Sequence, residues 1–232
     1  MRRMWILAAA CALPACGAAE DVDDVQASAP PAGSAADSGA ARVDVAVADS
    51  APGDTAYAFR LHETRPGSVD SITVTRGGRA VQTVRPSENH VPPEAEVPRI
   101  SRIDLDFDGH GDLGFVTELT MAGSMSEYWR LDPATGRFAP AGVHHTLQPD
   151  SGAREHATHV RGGYAGRLWT ASRWRWMDGA LAEVRREEQD VVRDAEVFVH
   201  IIHERRGGAL RETSRDTLAG AEVRAGPTWM KP

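Results

Sequence analysis

The chain has 232 residues, a formal net charge of −7 and only two cysteines, with 41% hydrophobic and 25% charged residues. That balance describes a folded protein and excludes a collagen-like or fully disordered one. Its acidity argues against the basic patch that nucleic-acid binding needs.

The start of the chain reads as a targeting segment. Arg2 and Arg3 precede an apolar run from Trp5 to Leu13. Nine residues suit a signal core and are too few to span a bilayer. Leu13-Pro14-Ala15-Cys16-Gly17 follows. It resembles the bacterial lipobox, which implies a diacylglycerol on the Cys16 sulfur and cleavage just before it. Pro14 departs from the usual small or β-branched residue. Cys11 is the rival, but it leaves only six apolar residues ahead of it. Gly17, where an Asp would favour the inner membrane, points to the outer membrane facing the periplasm. With Cys11 cleaved away, Cys16 is the sole cysteine of the mature chain. A disulfide framework is then excluded, and a lipid anchor is the covalent device left. No later apolar stretch is long enough to span.

Residues 17–55 are rich in Ala, Ser, Asp, Pro and Gly and hold eight acidic residues against one basic. Such a segment buries too little apolar surface to offset its ordering entropy, so it reads as a disordered acidic linker. The signal carries two positive charges, so residues 56–232 are left with a net charge of only −2. The acidity belongs to the tether. The remaining stretch has the length of one domain.

Residues 56–232 read as a single all-β domain. Ser71–Thr75 and Ala80–Val84 alternate around Gly77-Gly78, a hairpin signal. Four prolines mark 86–98 as a loop. Ile100–Leu105 and Leu113–Leu119 read as strands around an acidic turn. Tyr128–Leu131 leads through Asp132-Pro133-Ala134-Thr135-Gly136 to Phe138. Leu168–Trp176 and Leu181–Val184 flank Asp178-Gly179. Val197–His203 and Leu210–Ser214 flank Gly207-Gly208. The expected architecture is antiparallel hairpins in a propeller-like or barrel-like array. In 181–195, Leu181, Val184, Val191, Val192 and Ala195 also fit a helical face, so one short helix is the alternative there.

One motif carries chemistry. Asp104-Leu105-Asp106-Phe107-Asp108-Gly109-His110-Gly111-Asp112-Leu113 places carboxylates at positions 1, 3, 5 and 9 of a loop, with glycine at 6. Calcium takes six to eight oxygens, and alternate side chains of a tight loop converge on one point. The expected ligands are Asp104, Asp106, Asp108 and Asp112, with His110 offering its backbone carbonyl. Position 12 is Phe115, not Glu, and the flanks are strands, so this is no EF-hand. It is similar to the calcium loops of FG-GAP and related propeller-like repeats. The alternative is an acidic turn without metal. The expected role of Ca²⁺ is structural.

His144-His145, His156-x-x-His159 and His200-x-x-His203 do not read as metal sites, because an i, i+3 pair on a strand points to opposite faces. Trp169, Trp174 and Trp176 read as core and cross-strand packing. No Gly-x-Ser-x-Gly, phosphate loop or His-Glu-x-x-His is present, so no enzyme is expected and no catalytic residue is assigned.

Several features occur in order: the lipobox, Val81-Gln82-Thr83-Val84, the aspartate loop, Tyr128 to Phe138, and Trp174-Arg175-Trp176-Met177-Asp178-Gly179-Ala180-Leu181. Over about residues 70–185 this order resembles a family of periplasmic calcium-binding lipoproteins with a propeller-like β fold. Its characterised member is an immunity protein that inhibits a lysozyme-like peptidoglycan hydrolase injected by a secretion system. The long linker and His110 depart from the family pattern. The resemblance implies a protein partner, a lysozyme-like glycoside hydrolase, met by a protruding loop. That loop falls on Ala122–Tyr128, with Ser124, Ser126 and Tyr128 as partner-binding groups; an ordinary hairpin connection is the alternative. The alternative function is an envelope interaction module without inhibitory activity.

Overall fold

The computed structural model describes residues 42–43, 48–49, 57–87, 99–192 and 197–229. All of them fall in one unit, Gly39–Pro232. Cys16 and the signal lie outside the described residues. So does the expected linker, apart from two short strands, β1 (Arg42–Val43) and β2 (Ala48–Asp49).

Tight turns set the topology. Gly77-Gly78, Asp178-Gly179 and Gly207-Gly208 each have positive φ at both residues. That is the type I′ geometry whose twist matches the flanking strands. Each joins two long strands of a meander. The first meander is β3 (Tyr57–Arg65), β4 (Ser68–Arg76) and β5 (Arg79–Val84). The second is β6 (Ile100–Ile103), β7 (Asp112–Thr120), β8 (Gly123–Asp132) and β9 (Arg137–His145). The third starts with β10 (Gln148–Asp150) and β11 (Glu155–Arg161). After a helical turn, α1 (Gly163–Gly166), it continues through β12 (Trp169–Met177), β13 (Ala180–Val192), β14 (Val197–Arg206) and β15 (Ala209–Leu218).

Three sheets result. Their orders are β1-β3-β4-β5, β2-β6-β7-β8-β9 and β10-β11-β12-β13-β14-β15. Among the described residues, only the β2–β6 pairing is parallel. The all-β expectation holds, and the array is three successive meanders, not a closed barrel.

The second sheet lies between the other two. On one side Ile100, Leu113, Phe115, Trp129, Leu131 and Phe138 pack with Tyr57, Phe59, Leu61, Ile72, Val74 and Val84 of the first sheet. On the other, Ile103, Leu105, Tyr128 and Leu147 pack with Trp174, Trp176 and Leu181 of the third. Each large apolar side chain so enclosed contributes about 1.5–3 kcal/mol. Gln82 stitches the first seam. Its amide donates to Phe138 O at 2.7 Å and accepts from Phe138 N at 2.8 Å, as a strand neighbour would.

The helical alternative is overturned over 181–192, and residues 193–195 lie outside the described residues. Residues 180–192 form β13, bonded to β12 on one side and β14 on the other. Leu181 and Val184 follow helical spacing, but the fully buried positions are Glu187 and Gln189, two apart on one face. Burial of polar residues hid the strand period.

Those two residues receive segment 223–229. Gln189 pairs with both the N–H and the carbonyl of Arg224, each at 3.0 Å. The Glu187 carboxylate accepts from Arg185 at 2.7 Å, Thr228 N at 3.1 Å and Thr228 Oγ1 at 2.9 Å. His200 Nε2 lies 3.3 Å from it. Arg173 stacks over Trp229 at 4.4 Å. Paired this fully, a buried carboxylate is tolerated.

Candidate metal centre and contact surface

Strands β6 and β7 present the aspartate loop at one end of the central sheet. Three carboxylates converge: Asp104, Asp106 and Asp108 each bring one oxygen within 4.8 Å of the others. With calcium–oxygen distances of about 2.3–2.6 Å, oxygens spaced this way fit around one ion. The loop folds on itself to do this. Asp104 accepts from Asp108 N at 3.1 Å and Gly109 N at 2.9 Å, and Asp108 accepts from His110 N at 2.8 Å. Gly109, at φ 91°, sits in the region that favours glycine. Phe107 also has positive φ, at 57°. Its ring stacks on His156 at 4.8 Å, and His156 Nε2 lies 3.0 Å from Leu105 O. Burial holds the His156 ring below its usual pKa. The neutral ring therefore donates from Nε2 to the Leu105 carbonyl.

Asp112 is placed differently from the other three. Its side chain is buried, and both of its oxygens are taken by backbone donors, Leu105 N at 2.7 Å and Leu131 N at 2.6 Å. It clasps the base of the loop to β8 and stands outside the converging group. Burial, opposed by these two hydrogen bonds, pushes its carboxyl up to about 7. Asp104 is also raised, first by burial and then by Asp108 and Asp106. His110 contributes its N–H to Asp108.

Two observations test the fit to a cation. The Oδ1 atom of Asp106 is buried without a hydrogen-bond partner, and an unmatched buried carboxylate oxygen is costly. Arg130 lies against the same group. Its Nε donates to Asp106 Oδ2 and its Nη2 reaches Asp108 Oδ2 at 3.4 Å. The loop draws positive charge even from within the chain, so its donors fit a hard cation. Arg130 had no sequence signal beyond its place in a strand.

The expected partner loop is corrected. Residues 123–132 form β8, so Ser124, Ser126 and Tyr128 are strand residues. Tyr128 is 1% exposed, and its hydroxyl accepts from Leu147 N at 2.8 Å. Ser126 is buried and lies 3.0 Å from Thr146 Oγ1. Ser124, half-buried, is 2.6 Å from the same hydroxyl. These groups hold β8 to the chain after β9.

What protrudes is the turn before β8. Met121 is 105% exposed. Arg161 N bonds Ala122 O at 3.3 Å, which brings the loop carrying α1 alongside. There Tyr164 is half-exposed, and it and Ala165 have left-handed φ of 53° and 55°. Arg161 and Arg167 flank the pair and are exposed. The nine residues of β7 separate this end from the aspartate loop by about 30 Å.

The fold has a counterpart. A solved Xanthomonas structure described as a type IV secretion system related protein matches with a TM-score of 0.52. The match has 15% sequence identity and covers 69% of this chain and 90% of that one. At that identity the likeness concerns the fold. No family model and no curated protein sequence matches the chain. Among the described residues no helix is long and apolar enough to cross a membrane.

Proposed function

We propose that this chain is an envelope-anchored, calcium-binding lipoprotein that inhibits a lysozyme-like peptidoglycan hydrolase, acting as an immunity protein. Lipid on Cys16 would hold it at the outer membrane facing the periplasm. Ca²⁺, carried by Asp104, Asp106 and Asp108, would staple one end of the central sheet. The metal supplies charge neutralisation at a loop that is otherwise self-repelling. Asp112 and His156 position the loop without touching the ion. The secretion-related description of the Xanthomonas neighbour supports this reading.

The observation that carries the inhibitor reading is the opposite end of the sheet. Met121 on one loop, and Tyr164, Arg161 and Arg167 on the loop that the Arg161 N–Ala122 O bond brings alongside, are all exposed there. Exposed apolar and guanidinium side chains on two adjoining loops suit a cleft that contains catalytic carboxylates. Met, Tyr and Arg are also the residue types that dominate protein contacts.

The test is muramidase activity with purified domain at stoichiometric ratio. Inhibition that is lost in Tyr164→Ala supports the proposal. Full activity at excess domain removes it, and capture of a different envelope protein through the same loops would establish the interaction-module reading instead.

A further inference from the structure

We propose that Arg130 is a built-in competitor for the cation of the aspartate loop, so that calcium must displace a guanidinium to bind. This rests on the calcium reading and goes beyond it, because it concerns what sets the site's affinity.

The geometry is specific. Of the two converging aspartates that pair with Arg130, Asp106 is the more enclosed, its side chain 9% exposed against 27% for Asp108. One of its oxygens receives Arg130 Nε, while the other has no partner. The second arm of the guanidinium reaches Asp108 at 3.4 Å. One fork thus spans two of the three converging carboxylates. A guanidinium stays charged at any working pH, so the competitor keeps its charge. A Ca²⁺ bound by the same oxygens adds two positive charges within a few ångströms of the guanidinium. The carboxylates cannot serve both fully.

The displaced side chain has a place to go. The Trp176 ring centroid already lies 5.8 Å from the guanidinium carbon, and a guanidinium is stabilised over an indole face. Trp176 in turn lines an open cleft of about 280 Å³ with Asp106, Phe107, Arg154 and Arg175. Exchange is then a rotation of the Arg130 side chain along the Trp176 face, with Arg175 held away by its own pair with Glu155. Arg130 would lower calcium affinity while keeping the calcium-free loop from flying apart. Arg130→Gln has opposite effects on the two states for that reason.

Calorimetric titration with Ca²⁺ and thermal melts in EDTA provide the test. Arg130→Gln is expected to bind Ca²⁺ about tenfold more tightly, the scale of one charge-assisted hydrogen bond regained. In EDTA it melts below the wild type. Arg130→Lys, which keeps the charge but not the fork, falls between. In the wild type, the Arg130 Nε–Hε NMR signal is slow to exchange in EDTA and fast with Ca²⁺ bound. Wild-type binding with equal or weaker affinity in Arg130→Gln overturns the competitor and leaves the calcium reading standing. A slow Nε–Hε signal in the calcium-bound protein does the same, and decides the matter if the variants do not fold. No binding by either protein overturns both.

Discussion

Tyr128, expected at the partner surface, is buried, while Tyr164 is exposed, and variants of the two separate the sequence reading from the structure. Tyr128→Phe removes one oxygen. In the folded chain that oxygen accepts from Leu147 N at 2.8 Å, in a site 1% exposed. The phenylalanine fills the same space, so no cavity opens. The loss is the hydrogen bond and the desolvated N–H left behind, about 1–3 kcal/mol. For a domain of roughly 150–250 residues each kcal/mol lowers Tm by about 2–4 °C. A fall of about 4–8 °C is therefore expected at the middle of that range. Tyr164→Ala touches an exposed ring, and its stability should stay within about 0.5 kcal/mol of the wild type. The assay is a circular-dichroism melt of both variants, with hydrogen exchange at the Leu147 amide. Tyr128→Phe exposes that amide to faster exchange; Tyr164→Ala does not. The reasoning is refuted if Tyr128→Phe melts with the wild type while Tyr164→Ala unfolds early.

Other consequences follow from the same contacts. Millimolar Ca²⁺ should raise Tm, with about 2.7 kcal/mol gained at roughly 100 times Kd, and Asp106→Asn should abolish the shift; a shift that survives in the variant places the ion elsewhere. Burial lifts the Asp112 carboxyl to about 7, so the folded state holds that proton more tightly than the unfolded state. In EDTA this contribution is fully present below about pH 4, declines as pH rises towards 7 and is flat above. Urea midpoints at about pH 5 and about pH 8 measure it, and a higher midpoint at the alkaline value counts against it. Glu187→Ala removes the hydrogen-bond partner of Thr228 and one of the two carboxylates on Arg185, which keeps Glu204, and should cost about 1–3 kcal/mol, the scale of buried donors left unmatched. Limited proteolysis within 223–229 should then become rapid; unchanged resistance would show that the segment is held by other contacts.

The sequence alone determined the local features. Gly77-Gly78, Asp178-Gly179 and Gly207-Gly208 encode hairpins because few residues tolerate two successive positive φ values. The alternation in Ser71–Thr75 and Ala80–Val84 likewise encoded strands, since a pleated segment with one apolar face can read only one way. The aspartate spacing placed Asp104, Asp106 and Asp108 together because consecutive loop residues meet without help from the rest of the chain.

Tertiary structure decided everything that depends on which polar group finds a partner. Glu155, His156, Thr158, Glu187, Gln189 and His200 are all buried, and no local rule marks them, because what makes their burial affordable lies far along the chain. That is why β11 was not anticipated and β13 resembled a helix. Asp112 reads as a ligand from spacing, yet Leu131 N, nineteen residues on, claims its second oxygen. Tyr128 reads as a loop residue until Leu147 and the third sheet enclose it. Spacing can gather charges into a loop; only the packed sheets determine which of them remain free to hold a cation.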